Sequence, residues 1–195
     1  MHGIVFVELE KFVKSKLGAE AWPKLLTHAG LSQAKYKMTA AFPDEEALKL
    51  VGSAVTLTGM TAPQILEAFG DFIAGDLLQM YSGLLKKEWS ALDVIENTEA
   101  TIHSVVRQKN PGAAPPALEV KRVSPRELVL VYRSQRKMCD LAKGLAKGVG
   151  RERGVEMIGP PSAHDGHVRV LQHGHEAAPR DGDRGLATGV VEKGR

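Results

Sequence analysis

Apolar residues recur at helical spacing through the first sixty positions, after which the period changes between that of helices and that of strands. In FVELEKFVKSKL, Phe6, Leu9, Phe12, Val13 and Leu17 follow helical spacing that stops at Gly18. AEAWPKLLTHAG reads as a second short helix, closed by Gly30. DEEALKLVGSAVTLTGM opens on an acidic turn after Pro43, which the positive end of the helix dipole favours, and ends at Gly59. Thr61 then caps a longer helix with Pro63 near its start. Its apolar residues, from Ile65, Leu66 and Phe69 to Leu77 and Met80, occupy more than one stripe, so much of its circumference is expected to be buried.

Past a break around Gly83–Asp93, ENTEATIHSVVRQKN predicts another helix, stopped by Asn110-Pro111-Gly112. Two strands follow, ALEVKRV and ELVLVYRS, joined by the turn Ser124-Pro125-Arg126. QRKMCDLAKGLAKGVGRE is helical again; Gly144 and Gly148 weaken it but leave a bare stripe against which another element can pack closely. GVEMIGP and HVRVLQH form a candidate hairpin over the loop Pro160–Gly166. From about Glu176 the chain is polar and rich in glycine and charge, the composition of a flexible tail. The order predicts an α+β protein: an N-terminal helical subdomain over residues 1–60, packed on a larger subdomain over 61–175 with helices and a mostly antiparallel sheet, and a tail over 176–195.

Composition narrows the function classes. At 195 residues with 43% hydrophobic and 25% charged side chains, the chain can build a sizeable core. A net charge of +3 is too small to argue for nucleic acid or an acidic membrane surface as partner. The single cysteine, Cys139, excludes an internal disulfide and is expected to be a buried, inert thiol. The N-terminus is amphipathic rather than signal-like, and no apolar run is long enough to span a bilayer, so a cytoplasmic protein is expected. There is no Gly-x-x-x-x-Gly-Lys phosphate loop, no Gly-x-Ser-x-Gly and no carboxylate pair with supporting context, and an enzyme is not expected.

Three features carry candidate chemistry. His103 lies among Ile102, Val105 and Val106; it is either a half-buried histidine bonded to a neighbour or a metal ligand. Its i±4 neighbours are Glu99 and Arg107, which supply no zinc set, so a metal-binding His103 would act alone, and a lone protein ligand suits haem iron better than bare zinc. Pro115-Pro116 forces an extended connection, either a stiff linker or a wedge that distorts a macrocycle. Tyr132, Ser134 and Arg136 alternate along the second strand, so they would share one face at intervals of roughly 6–7 Å. That row is either a solvated edge or a grip for a carboxylate pair. Further along, His164, His167, His173 and His175 crowd together, and adventitious metal binding is the better reading of them.

Taken together, one histidine, a proline-rich connection and Tyr-x-Ser-x-Arg about thirty residues beyond the histidine resemble the H-NOX (haem–nitric oxide/oxygen binding) family. MHGIVFVELEKFV, EAFGDF and YRSQRKM followed by GLAKGVG are similar to it too, so the resemblance covers roughly residues 1–175. It implies an α+β fold enclosing ferrous haem b, with His103 as proximal iron ligand, Tyr132, Ser134 and Arg136 on the propionates, and Pro115 holding the haem out of plane. Oxygen-binding members carry a tyrosine five residues beyond the motif arginine, which is Leu141 here. The other members of that distal network correspond to Leu9 and Ile73, with Val5 in the same pocket. None of these side chains donates a hydrogen bond, and one such bond to a charged group is worth about 1.5–3 kcal/mol. The resemblance is therefore to the branch that binds nitric oxide, and CO, while excluding oxygen. Gas binding opposite His103 would weaken the iron–histidine bond, free its helix and relax the haem against Pro115. With no kinase, cyclase or receptor segment in the chain, the expected partner acts in trans, a histidine kinase or a cyclic-di-GMP enzyme by analogy with stand-alone bacterial members. Two other readings are a haem or tetrapyrrole carrier that signals nothing, and a degenerate module without cofactor.

Overall fold

The computed structural model describes residues 1–32, 34–110 and 112–154, and the backbone of 167–172. The helical stripes become α1 (Gly3–Leu17), α2 (Ala21–His28), α3 (Asp44–Thr58) and α4 (Ala62–Met80). Helix α1 begins earlier than its stripe because residues 1–3 are pinned to residues 40–42. The Gly3 N–H donates to Ala40 O at 2.7 Å, and the Phe42 N–H donates to Met1 O at 2.9 Å. A Cβ at Gly3 would lie 1.9 Å from Lys37 O, so only glycine permits this approach. Helix α4 starts where expected, on a capping box: Thr61 Oγ1 accepts from the Gln64 N–H, and Gln64 Oε1 accepts from the Thr61 N–H.

The break expected at residues 83–93 is shorter than its sequence suggested. A single 3₁₀ turn (Ser82–Leu84) precedes α5 (Ala91–Asn97), whose start is set by a second capping box between Ser90 and Asp93. The helix then widens into a π-helical turn over Glu99–His103, where the His103 N–H bonds back five residues to Thr98 O at 3.0 Å, and continues as α6 (Ser104–Lys109).

Strands β1 (Ala117–Ser124) and β2 (Glu127–Arg133) pair antiparallel, with Val120 opposite Leu130. After α7 (Cys139–Glu152), β3 (His167–Gln172) runs parallel to β2 on its other edge, which gives the order β1-β2-β3. Residues HVRVLQ of that expected segment are thus a strand. Its expected hairpin partner GVEMIGP lies, past Gly154, outside the described residues, as do the loop before β3 and the tail from 176. In β2, Leu128, Leu130 and Tyr132 point into the core and are buried, the alternation a half-covered sheet requires.

Two packings organise the interior. On one side Phe6 stacks on Tyr36, with ring centroids 4.3 Å apart, and meets Phe42 edge-on. On the other, α4 and α7 lie backbone against backbone. A Cβ at Gly144 would sit 2.0 Å from Glu67 O, one at Gly70 would sit 2.3 Å from Leu141 O, and one at Gly148 would sit 2.4 Å from the Ala74 Cβ. The bare stripe of α7 is filled by α4. Buried Glu8 on α1 is held by Lys11 Nζ at 2.7 Å, which also reaches Asp76 of α4 at 3.1 Å, so the two helices are tied, although burial still raises the Glu8 carboxyl against the pull of Lys11.

The glycine seam makes a contrast testable by thermal melts. Gly144→Ala is expected to cost about 2–3 kcal/mol and lower the melting midpoint by about 5–10 °C, since backbone must move to admit the methyl. Gly52→Ala, where α3 faces open space, should instead stabilise by about 0.5–1 kcal/mol.

Candidate functional site

Where α1 begins, α4, α5, the π turn, β2 and α7 surround an apolar cavity with about 1400 Å³ of empty space, mouth included. Val5, Ile73, Leu77, Leu141 and Leu145 contribute apolar wall, and Pro115 and Pro116 also line it. Its polar side chains are few: His2, Tyr81, Thr98, His103, Tyr132 and Arg136. A concave, mostly apolar space with a handful of convergent polar groups is the usual form of a cofactor or ligand site.

Most of the residues singled out by sequence meet there. His103, Pro115, Tyr132, Arg136, Leu141, Ile73 and Val5 all line the cavity. Leu9 and Ser134 do not. Leu9 is buried in the hydrophobic core instead, because one further turn of α1, about 6 Å along its axis, carries it past the cavity edge at Val5. The expected strand row is also corrected. Strand β2 ends at Arg133, so only Tyr132 of the three belongs to it. Ser134 and Arg136 sit in a turn closed by the Lys137 N–H donating to Ser134 O at 3.3 Å, with Lys137 left-handed at φ 53°. Three groups expected in file along a strand are gathered by a turn.

His103 is positioned by its own helix. Glu99, four residues earlier, places Oε2 3.0 Å from His103 Nδ1, and its other oxygen accepts from Arg107. Oε2 also accepts from the Leu118 N–H at 3.0 Å, which ties the π turn to β1. Burial pushes the imidazole below its ordinary pKa, outweighing the opposite pull of Glu99, so the ring is neutral at pH 7. With Nδ1 held by Glu99, Nε2 is the nitrogen that would ligate a metal, and the Pro116 backbone lies within hydrogen-bonding reach of the ring. Burial disfavours an ionised Glu99, but His103, Arg107 and the Leu118 N–H together hold it below the usual carboxylate range. Its orienting role has a sequence signal, a carboxylate one helical turn before the histidine, which spacing alone presents only as a missing zinc ligand.

Arg136 spans the cavity rim. One guanidinium nitrogen donates to Ala114 O at 2.7 Å. Its Nε lies 2.8 Å from Asp44 Oδ2, near enough for an ion pair though not aligned as a hydrogen bond. The same carboxylate lies 2.7 Å from the Met1 amino group. Asp44 therefore joins the start of α3 to the turn after β2, a contact with no local sequence signal. Tyr132 is buried, and burial raises its phenol against the opposing influence of Ser134 and the Arg136 charge. Partial burial and the neighbouring Asp140 likewise raise the Cys139 thiol, which is half-buried rather than buried as expected. Among the described residues no cluster of three or more metal-ligating side chains forms; of the C-terminal histidines, only the backbone of His167 is described.

An α+β frame around one apolar cavity, with a neutral imidazole in its wall and a guanidinium at its rim, defines a cofactor-cavity protein. The Haem-NO-binding family model matches residues 2–153, and the chain belongs to this family, which has the haem-binding gas-sensor fold. No curated protein matches. Among solved structures, the chain is similar to a mutant of the H-NOX protein from K. algicida in its Fe(II) unliganded state, 25% identical at a TM-score of 0.74, over 81% of this chain and 86% of that one. It is also similar to an H-NOX protein from S. oneidensis in the Fe(II)NO ligation state, at 22% identity and a TM-score of 0.74, over 80% and 87% of the two chains. A third is a mutant of T. Tengcongensis H-NOX, at 20% identity and a TM-score of 0.70, over 80% and 85%. No helix among the described residues is long and apolar enough to cross a membrane.

The donor set fits a haem. It offers one neutral imidazole for iron, apolar walls for a macrocycle, and at the rim a guanidinium whose buried Nε has no hydrogen-bond partner.

The rim pair yields a pH prediction. Asp44 is held below its ordinary pKa of 3.8: burial opposes ionisation, but Arg136 and the Met1 amino group outweigh it. A depressed carboxylate contributes stability that is complete above its unfolded pKa and is lost as pH falls through the folded one. Wild type is therefore expected to melt above Asp44→Asn at pH 7, and the gap should close below about pH 4 in melts across a pH series.

Proposed function

We propose that the chain is a haem-based sensor that binds nitric oxide, and CO, at ferrous haem b while excluding oxygen. The supporting observation is the pairing of His103, neutral and oriented by Glu99, with a cavity wall in which Leu141, Ile73 and Val5 carry no donor. A bound ferrous haem would supply an iron able to take a diatomic gas. His103 would hold that iron through Nε2. Arg136 and Tyr132 would take the propionates, with Ser134 acting from outside the cavity, since its Oγ accepts the Arg136 N–H at 3.2 Å. Pro115 would press on the macrocycle from the wall it lines.

Dioxygen would gain from a hydrogen-bond donor in this wall, whereas nitric oxide would need none. Leucine at 141, isoleucine at 73 and valine at 5 withhold that help, which favours nitric oxide.

Output has a physical route. His103 ends a π turn whose Glu99 also bonds the β1 backbone at Leu118 and the α6 side chain Arg107. A shift of His103 would be felt in the sheet and in α6, and through them between subdomains 1–60 and 61–175. The receiver is a signalling protein in trans, a histidine kinase or a cyclic-di-GMP enzyme, in the cytoplasm.

The second reading, a tetrapyrrole carrier without signalling, shares this site but not the gas response. Absorption spectra of the purified ferrous protein separate them: a Soret shift with nitric oxide and none with air is expected of the sensor. His103→Ala should retain no haem unless free imidazole is supplied, and unchanged haem occupancy would remove His103 from the iron. Leu141→Tyr is expected to raise oxygen affinity by about ten- to a hundredfold, read by oxygen titration.

A further inference from the structure

His2 lines the cavity with both ring nitrogens shielded from solvent, and neither has a hydrogen-bond partner. A native fold rarely leaves a buried polar group unpaired unless a water, an ion or a bound molecule supplies the partner. The position is not loose. The backbone on either side is fixed by the Gly3 N–H to Ala40 O and the Phe42 N–H to Met1 O, and His2 itself bridges Ala41. Glycine at 3 seats this segment against the Lys37 carbonyl, closer than any other residue could. The ring is therefore held at the cavity by a braced backbone.

Its neighbourhood identifies the chemistry. The residue before it, Met1, has its amino group 2.7 Å from Asp44, and Asp44 lies 2.8 Å from Arg136 Nε. His2 thus enters the cavity at the rim that carries Arg136, whose buried Nε is ion-paired with Asp44. An imidazole N–H and a guanidinium at one rim of an apolar cavity suit a ligand whose apolar body lies inside and whose anionic oxygens reach that edge.

We propose that His2 is a further haem-binding residue, donating from its imidazole to a haem carboxylate beside Arg136. The assignment rests on the haem reading above and adds a contact that the Tyr132-Ser134-Arg136 motif does not contain.

The test uses the full chain loaded with haem or with haem dimethyl ester, which has no free carboxylate, and follows transfer to excess apomyoglobin. His2→Leu is expected to release haem about tenfold faster than wild type, the effect of losing one charge-assisted hydrogen bond, and to release the ester at the wild-type rate. His2→Gln, which keeps an N–H donor, should stay within about threefold of wild type for haem. Unchanged haem release from His2→Leu, or equal acceleration for haem and ester, overturns the proposal. So does a six-coordinate low-spin ferrous spectrum that His2→Leu converts to five-coordinate, which would put the imidazole on iron. A second measurement needs no Leu variant. The imidazole ¹⁵N signal that His2→Gln removes should move when the wild-type chain takes up zinc protoporphyrin IX and stay in place with its dimethyl ester; no movement with the free acid overturns the assignment. A wild-type chain that takes up neither haem nor ester overturns the haem reading as well, whereas haem uptake indifferent to His2 overturns only this contact.

Discussion

Helices α4 and α7 can meet only because Gly70, Gly144 and Gly148 leave nothing between their backbones, and much of the site depends on that contact. Any Cβ at these positions would fall within 2.0–2.4 Å of backbone or of the Ala74 side chain, well inside van der Waals contact. The seam sets where α7 runs, and so brings Leu141 and Leu145 to the same cavity as Ile73 and Leu77 of α4. Gly70 packs directly on the Leu141 carbonyl, so this part of the cavity wall is located by a glycine on another helix.

Inside the cavity the governing balance is electrostatic. Desolvation keeps His103 uncharged, and Glu99 limits how far that effect goes while fixing the ring's orientation. The carboxylate is tolerated there because three donors share it, from His103, Arg107 and the Leu118 backbone. The π turn fits the same logic: one extra residue in the helical turn ending at His103 departs from regular α geometry, and such bulges recur at functional sites. Histidine, helix and sheet edge are therefore mechanically one unit.

Local chemistry made much of the fold legible in advance. Apolar periodicity located the helices, Thr61 marked the start of α4, and the glycines of α7 announced a close neighbour. Legibility failed where a second capping box won, as Ser90 with Asp93 started a helix inside an expected break. It failed again where periodicity was extended past its element. Tyr132, Ser134 and Arg136 alternate as a strand would, but the backbone turns at Ser134, and the grouping comes from that turn. Leu9 kept its place in the helical stripe yet faces core rather than cavity, since periodicity gives a face and not how far along it a cavity reaches.

The sequence by itself determined the family, the α+β class and the identity of the histidine, the proline and the Tyr-Ser-Arg motif, because each rests on residue type and short spacing. Only the tertiary structure decided that Glu99 also meets the Leu118 N–H of β1, that Asp44 from a distant helix meets Arg136, and that His2 stands unpaired at the same rim. Pairing and desolvation are properties of groups brought together from far apart along the chain, and no local pattern of charge or hydrophobicity encodes them.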